Sequence, residues 1–280
     1  MASLTVVGFA SGSPQSHAAM AHIASECRLA AIVMPPERGG LRKMRRLFGR
    51  TANPLAQLGA PLIALTEVER FRPDIIVVAS FPQIIPSGTL AAARLGALNV
   101  HMSLLPRHRG PDPIFWTYWD DDSEAGVTIH WMIQRIDAGD IVAQKSLPLE
   151  RGRASRDLYM QLTSCGAELL ANVLAQIASG GAPSWPQDET QATYESAADI
   201  AGARVPFAKW SAERVWHVLS GLGDQRSGLI ADSSGRQLAH GRAAHYRITG
   251  DSEPGCITVI DAGYELHCRD GTVSVERRRQ

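Results

Sequence analysis

The sequence predicts an α/β protein: an open, mostly parallel sheet followed by a smaller β-rich region. Three observations predict it. Short runs rich in branched apolar residues alternate with helix-patterned stretches from Leu4 to Ser179, the arrangement that covers a parallel sheet with helices. One run, DIIVVASF from Asp74 to Phe81, is almost continuously apolar, as suits a strand buried on both faces. After Gly180-Gly181 the helical periodicity stops, Pro183, Pro186 and Pro206 interrupt the chain, and short strand-like runs dominate the C-terminal third.

With 280 residues the chain can bury one large core, or a core and a satellite. Hydrophobic content of 45%, charged content of 20% and a formal net charge of zero are ordinary for a globular protein, and no global charge points to nucleic acid. Cys27, Cys165, Cys256 and Cys268 show neither a C-x-x-C pair nor zinc spacing, so buried thiols in a reducing compartment are expected. The start, MASLTVVGFA, has no basic leader, and nowhere do 18 apolar residues follow one another; the expectation is a cytoplasmic protein, neither secreted nor membrane-inserted.

Taken in order, LTVVGF is a first strand, Ala10 to Pro14 a turn, and Gln15 to Cys27 a helix. LAAIVM follows as a strand, APLIAL as a short one and DIIVVASF as the most buried. FPQIIP is a loop, Ser87 to Leu95 a helix and ALNVHM a strand. PDPIFWTYWDDD reads as an aromatic-rich helical turn, its aromatics as core and its acids as a solvated face. GVTIHWMIQ and IVAQKSLPL alternate as strands across the RIDAGD loop, close enough to pair antiparallel. Ser155 to Ser179 is a helix with Ser155 as its cap, Leu158, Leu162, Leu169, Leu170, Val173, Leu174 and Ile177 as its apolar stripe, and Gly180-Gly181 as its end. A catalytic domain over 1–187, a linker over 188–205 and a small domain over 206–280 follow from this division. The last contains a helix, SAERVWHVLSGL, then candidate strands GLIA, AHYRI, CITVI, YELHC and TVSVE, enough for a small barrel or sandwich.

The chemistry concentrates in Asn99 to Pro113, NVHMSLLPRHRGPDP. Asn99, His101 and Ser103 recur at every second residue, so a strand here projects them to one face. In open α/β sheets, ligands bind beyond the carboxyl ends of the strands. An amide N–H can stabilise a developing oxyanion, and an imidazole titrates near neutrality and can stabilise the same charge or move a proton. A carboxylate is still needed, and Asp137 in RIDAGD is the candidate, with Gly139 permitting a close backbone approach. The set suits acyl transfer to an external amine; no G-x-S-x-G elbow or cysteine motif supplies an enzyme nucleophile. His130 reads as a packed strand residue and His108 as a solvated loop residue. GFASGSPQS lacks the G-x-G-x-x-G spacing of a dinucleotide site.

The run NVHMSLLPRHRGPDPI, followed by GVTIHW and IDAGDI, closely resembles the folate-dependent formyltransferase family over roughly residues 1–195. The resemblance implies a Rossmann-like sheet with a small OB-like C-terminal domain, and transfer of the formyl group of 10-formyltetrahydrofolate to an amine without a metal. It implies Asn99, His101 and Asp137 as the reacting set, and Phe81, Pro82, Gln83, Ile84 and Ile85 with Asp137, Ala138, Gly139 and Asp140 around the folate. It also implies that Ser103, Arg109, Gly110 and Pro111 shape the acceptor side. Pro82 stands where many members have glycine, and QDETQATY matches the family's linker.

The expected acceptor is a primary amine on a small molecule, an amino sugar or an amino-acid-derived metabolite, because the C-terminal region is short beside that of the methionyl-tRNA formyltransferases. Those enzymes are the alternative. Arg38, Arg42, Lys43, Arg45, Arg46 and Arg50 form a basic run with no acid among them, able to attract tRNA or another anion. A formyltetrahydrofolate hydrolase and a non-catalytic folate-binding module are further alternatives, as is a nucleotide-binding oxidoreductase.

Overall fold

The computed structural model describes residues 4–36, 53–250 and 253–277. The basic run from Arg38 to Arg50 lies outside the described residues. The chain divides into two compact units: 1–110 with 126–146 and 160–194, and 111–125 with 147–159 and 195–280.

The first unit is built on a seven-stranded sheet of order β3-β2-β1-β4-β5-β6-β7. Its strands are β1 (Thr5–Ala10), β2 (Arg28–Val33), β3 (Leu62–Ile63), β4 (Ile75–Ala79), β5 (Ala97–His101), β6 (Glu124–Trp131) and β7 (Ile141–Pro148). The five strands β3, β2, β1, β4 and β5 run parallel to one another, and β6 runs antiparallel to β5. The sheet is therefore mostly parallel. Alternate residues Val7, Phe9, Ala31, Val33, Ile76, Val78 and Ala97 form one buried layer, because successive strand side chains point to opposite faces.

α1 (Pro14–Glu26) starts as its sequence dictates: Ser13 accepts from the Ser16 amide, and proline occupies the first helical position, where its missing N–H costs nothing. The helix lies so close to β1 that a Cβ on Gly8 would stand 2.0 Å from the Met20 sulfur. α2 is shorter than the sequence suggests, Ser87–Ala91. The amides of Arg94 and Leu95 go instead to the carbonyls of Pro73 and Asp74, so the chain turns toward β4 rather than completing another helical turn. α4 (Ser155–Ala178) packs on β5 and β6 through Gly166, whose missing Cβ would lie 3.2 Å from Val100 and 3.1 Å from Val127. Since Val100 faces α4, Asn99 and His101 face the other way.

In the second unit, α3 (Pro113–Trp119) is capped by Asp112, and α6 (Ala212–Leu222) by Ser211. Between them in sequence is α5 (Ala197–Gly202). Asp121, one of the acids expected to be solvated, pairs with Arg151. Ser155 donates to the Gly221 carbonyl at 2.7 Å. A separate antiparallel sheet, in the order β8-β11-β10-β9, comprises β8 (Ala243–Ile248), β9 (Ile257–Ile260), β10 (Gly263–His267) and β11 (Gly271–Glu276). GLIA forms no strand. Gly228 has φ +82°, and Asp232 accepts from the amides of Ser234 and Arg236, so the run enters a tight loop with one bridge, Ala231 to Gln237.

No disulfide joins the four cysteines; Cys165 and Cys268 are buried as expected, whereas Cys27 is half-buried and Cys256 exposed. Among the described residues no helix is long and apolar enough to cross a membrane.

Candidate active site

The strand register assembles the site. Asn99 lies directly across from His130, and His101 from Thr128, in the antiparallel β5–β6 pair. Thr128 then fixes the chain leaving β5: its hydroxyl donates to the Ser103 carbonyl at 2.6 Å and accepts from the Leu105 amide at 3.3 Å. Gln144 on β7 donates to the Leu105 carbonyl at 2.9 Å. This side-chain stapling makes an irregular, buried segment tolerable, because its backbone groups keep partners away from water.

Asp137, from the loop after β6, is the group on which the others converge. Its Oδ1 accepts from Asn99 Nδ2 at 3.2 Å, and its Oδ2 from the Gly110 amide at 2.9 Å. Two imidazoles face the same carboxylate, His101 Nδ1 at 3.7 Å and His130 Nε2 at 3.4 Å. Each is committed by its other nitrogen to a backbone carbonyl: His101 Nε2 donates to His108 at 2.8 Å, and His130 Nδ1 to Trp131 at 2.9 Å. Carbonyl oxygen only accepts, so these bonds place one proton on each ring. The remaining nitrogens face Asp137, where an added proton would make a charge-assisted pair. Asn99 also donates to His130 Nε2, at 3.2 Å.

Burial alone would raise the Asp137 carboxyl, but the His101 and His130 rings and the Gly110 amide outweigh it and hold the group well below the usual carboxylate range. Burial pushes the His101 imidazole down, against the pull of Asp137. The cluster therefore keeps an ionised acid beside an imidazole that resists charging, an arrangement suited to receiving and returning a proton.

The other sequence-predicted residues have varied placements. Ser103 is buried and donates to the Arg107 carbonyl at 2.7 Å. Arg109 is fully buried, and its guanidinium is bonded to Gln187, Glu189 and Tyr194. Gly110 acts through its amide, while Pro111 is exposed at the start of the second unit's first segment. In the loop after β4, Phe81 packs edge-on against Phe9 and Ile85 is buried, while Pro82 and Ile84 are exposed and Gln83 is half-buried. Ala138 is half-buried and Asp140 exposed. A Cβ on Gly139 would stand 1.8 Å from the Trp131 carbonyl oxygen, so the close approach that this glycine permits is to the protein's own backbone.

Two expectations change. His108 is buried rather than solvated, and its carbonyl orients His101. His130 belongs to the cluster; the signal was the alternation of Thr128 and His130 on GVTIHW, which acquires meaning once β6 is paired with β5.

The α/β fold brings together a half-buried amide, two buried imidazoles and a carboxylate, a set able to support group transfer without an enzyme nucleophile. A family model described as formyl transferase matches residues 61–174. The methionyl-tRNA formyltransferase of Latilactobacillus sakei is 30% identical over 261 residues, covering 90% of this chain and 81% of that protein. Its counterpart from Lactiplantibacillus plantarum is 32% identical over 61% of this chain, and the match spans only 57% of that protein's length. Among solved structures, an N-formyltransferase from Helicobacter canadensis in complex with folinic acid and dTDP-3-aminofucose superposes with a TM-score of 0.72 at 16% identity, covering 100% of both chains. The chain belongs to the folate-dependent formyltransferase family.

Proposed function

We propose that this protein transfers the formyl group of 10-formyltetrahydrofolate to a primary amine of a small molecule, such as an amino sugar or an amino-acid-derived metabolite. The observation that carries the reading is the convergence of Asn99, His101 and His130 on Asp137. The donor supplies a formyl carbon open to attack by an amine. The side chains present fit such a ligand: Ile84, Ile133 and Ile136 are exposed apolar groups on the loops after β4 and β6, the surface a flat heteroaromatic ring requires.

The protein's own groups then have distinct tasks. One N–H of Asn99 turns from Asp137 toward negative charge developing on the formyl oxygen, where a preformed donor is most effective. The His101–Asp137 pair receives the proton that the attacking amine loses as its C–N bond forms. The same proton returns to the departing nitrogen as the original C–N bond breaks. His130 holds Asp137 and Asn99 in register. We read the four-stranded C-terminal sheet as OB-like, and the protein as cytoplasmic.

A second reading, methionyl-tRNA formyltransferase, is favoured by the identity over 90% of the chain to a protein of that name. Incubation with 10-formyltetrahydrofolate and a panel of amines that includes charged initiator tRNA, read by mass, separates the two. Gain of one formyl group on a small amine supports the first. Gain on tRNA at low enzyme concentration, with none on small amines, establishes the second. Formate release without any amine would instead mark a hydrolase.

A further inference from the structure

We propose that Gln187 is a positioning residue for Asp137, held in its working orientation by Arg109. The inference deepens the formyl-transfer reading and rests on it for the work that Asp137 does; the geometry stands by itself.

Asp137 has φ +49°, a left-handed conformation that a residue with a side chain keeps only where its surroundings over-determine it. Gln187 supplies that constraint. Its Nε2 donates to the Asp137 carbonyl at 2.8 Å and to the Gly139 carbonyl at 2.7 Å, so one amide bridges the turn. The orientation of this amide is fixed from behind. Arg109 Nε and Nη2 donate to Gln187 Oε1 at 3.0 and 2.7 Å. A guanidinium has donors only, so a reversed amide would set N–H against N–H and turn an oxygen toward two carbonyls.

Arg109 is itself immobilised. It is fully buried, it donates to both Glu189 carboxylate oxygens at 3.2 and 2.9 Å, and its amide bonds the Thr193 carbonyl at 3.1 Å. The next residue, Gly110, donates to the Asp137 carboxylate. The Arg109–Gly110 dipeptide therefore grips Asp137 twice, at its carboxylate through Gly110 and at its backbone through Gln187.

The test uses Gln187→Glu, which keeps the acceptor for Arg109 and removes both donors to the loop. Gln187→Met removes the amide without adding charge and serves if the first variant folds poorly. Asp188→Ala is the control: Asp188 caps the neighbouring turn by accepting from Thr190 and does not touch the loop. Carboxyl carbon NMR follows the titration of Asp137 without substrate, and steady-state kinetics follow turnover. The expected result is an Asp137 midpoint that moves up toward the ordinary value of about 3.9 in both Gln187 variants. With it comes a roughly 10²-fold fall in kcat, the cost of about 1 Å of misplacement, and little change in KM; Asp188→Ala changes neither. Unchanged titration and turnover in the Gln187 variants, or the same shift in Asp188→Ala, would overturn the inference. If the midpoint moves in the Gln187 variants while the wild-type protein formylates no amine, the formyl-transfer reading fails and the positioning role stands.

Discussion

The Asp137 side chain makes the sharpest demands on its neighbours. Asp137→Asn keeps the size but leaves one acceptor where the carboxylate had two, and it removes the anion that faces His101 and His130. Formyl transfer should fall by 10²- to 10⁴-fold, the usual contribution of a positioned acid or base, and thermal stability should fall as well, because a carboxylate whose pKa is lowered on folding stabilises the folded state at neutral pH. His130→Asn should cost less turnover than His101→Asn, since His130 is assigned to holding the carboxylate. Equal losses in steady-state kcat would instead make the two rings functionally equivalent. The pH dependence follows from the two downward shifts. Because His101 is held below its ordinary value near 6.5, its neutral form persists to the acid side of that pH, and the acid limb of kcat/KM should lie below 6.5. The apparent midpoints belong to the coupled cluster rather than to one ring. A limb above 6.5 would contradict the assignment.

At the scale of elements, two close contacts make opposite predictions about repair. Gly8→Ala places a methyl against the flexible end of Met20, so it should destabilise by ~1–3 kcal/mol as overpacking does; Met20→Ala in the same chain should recover part of that in a thermal melt. Gly139→Ala meets the Trp131 backbone oxygen, which no side-chain trimming relieves, and it should damage turnover through Asp137. The second unit carries its own titration. His217 stacks on Tyr118 at 5.0 Å and accepts from the Gly152 amide at 2.9 Å. Burial, reinforced by Arg151, pushes its imidazole down to about 4. A histidine depressed on folding favours the folded state fully above its unfolded value near 6.5, and that contribution is lost as pH falls toward 4. Urea midpoints should decline across this window in the wild type and decline less in His217→Phe. Parallel declines would show that other groups dominate.

Across the whole molecule, legibility in the sequence tracks the range of the interactions. β1, α1 and β4 were readable because local pattern dictates them: branched apolar runs, a helix-patterned stretch after a turn, an unbroken apolar strand; the Ser13 cap and Pro14 start of α1 were read as part of the turn. Asn99, His101 and Asp137 were singled out by residue type and motif order, and the structure brings those three together. His130 was missed because its membership depends on the β5–β6 register, set by packing across a long connection rather than by any local pattern. GLIA was misread as a strand because its apolar content is a strand's, while Gly228 and Asp232 impose a loop. Arg109 was expected on the acceptor side of the site; Gln187, Glu189 and Tyr194, about eighty residues away, bond its guanidinium.

The proposed function requires that Asp137 and its partners move a formyl group from a reduced folate to an amine. The most direct test is mass detection of the formylated acceptor in a screen of amines and charged tRNA with isotopically labelled 10-formyltetrahydrofolate, run in parallel with wild-type protein and Asp137→Asn. Labelled formyl is expected on one class of amine with the wild type, with a loss of at least 10²-fold in rate with the variant. Labelled product at equal rates from both proteins would contradict it.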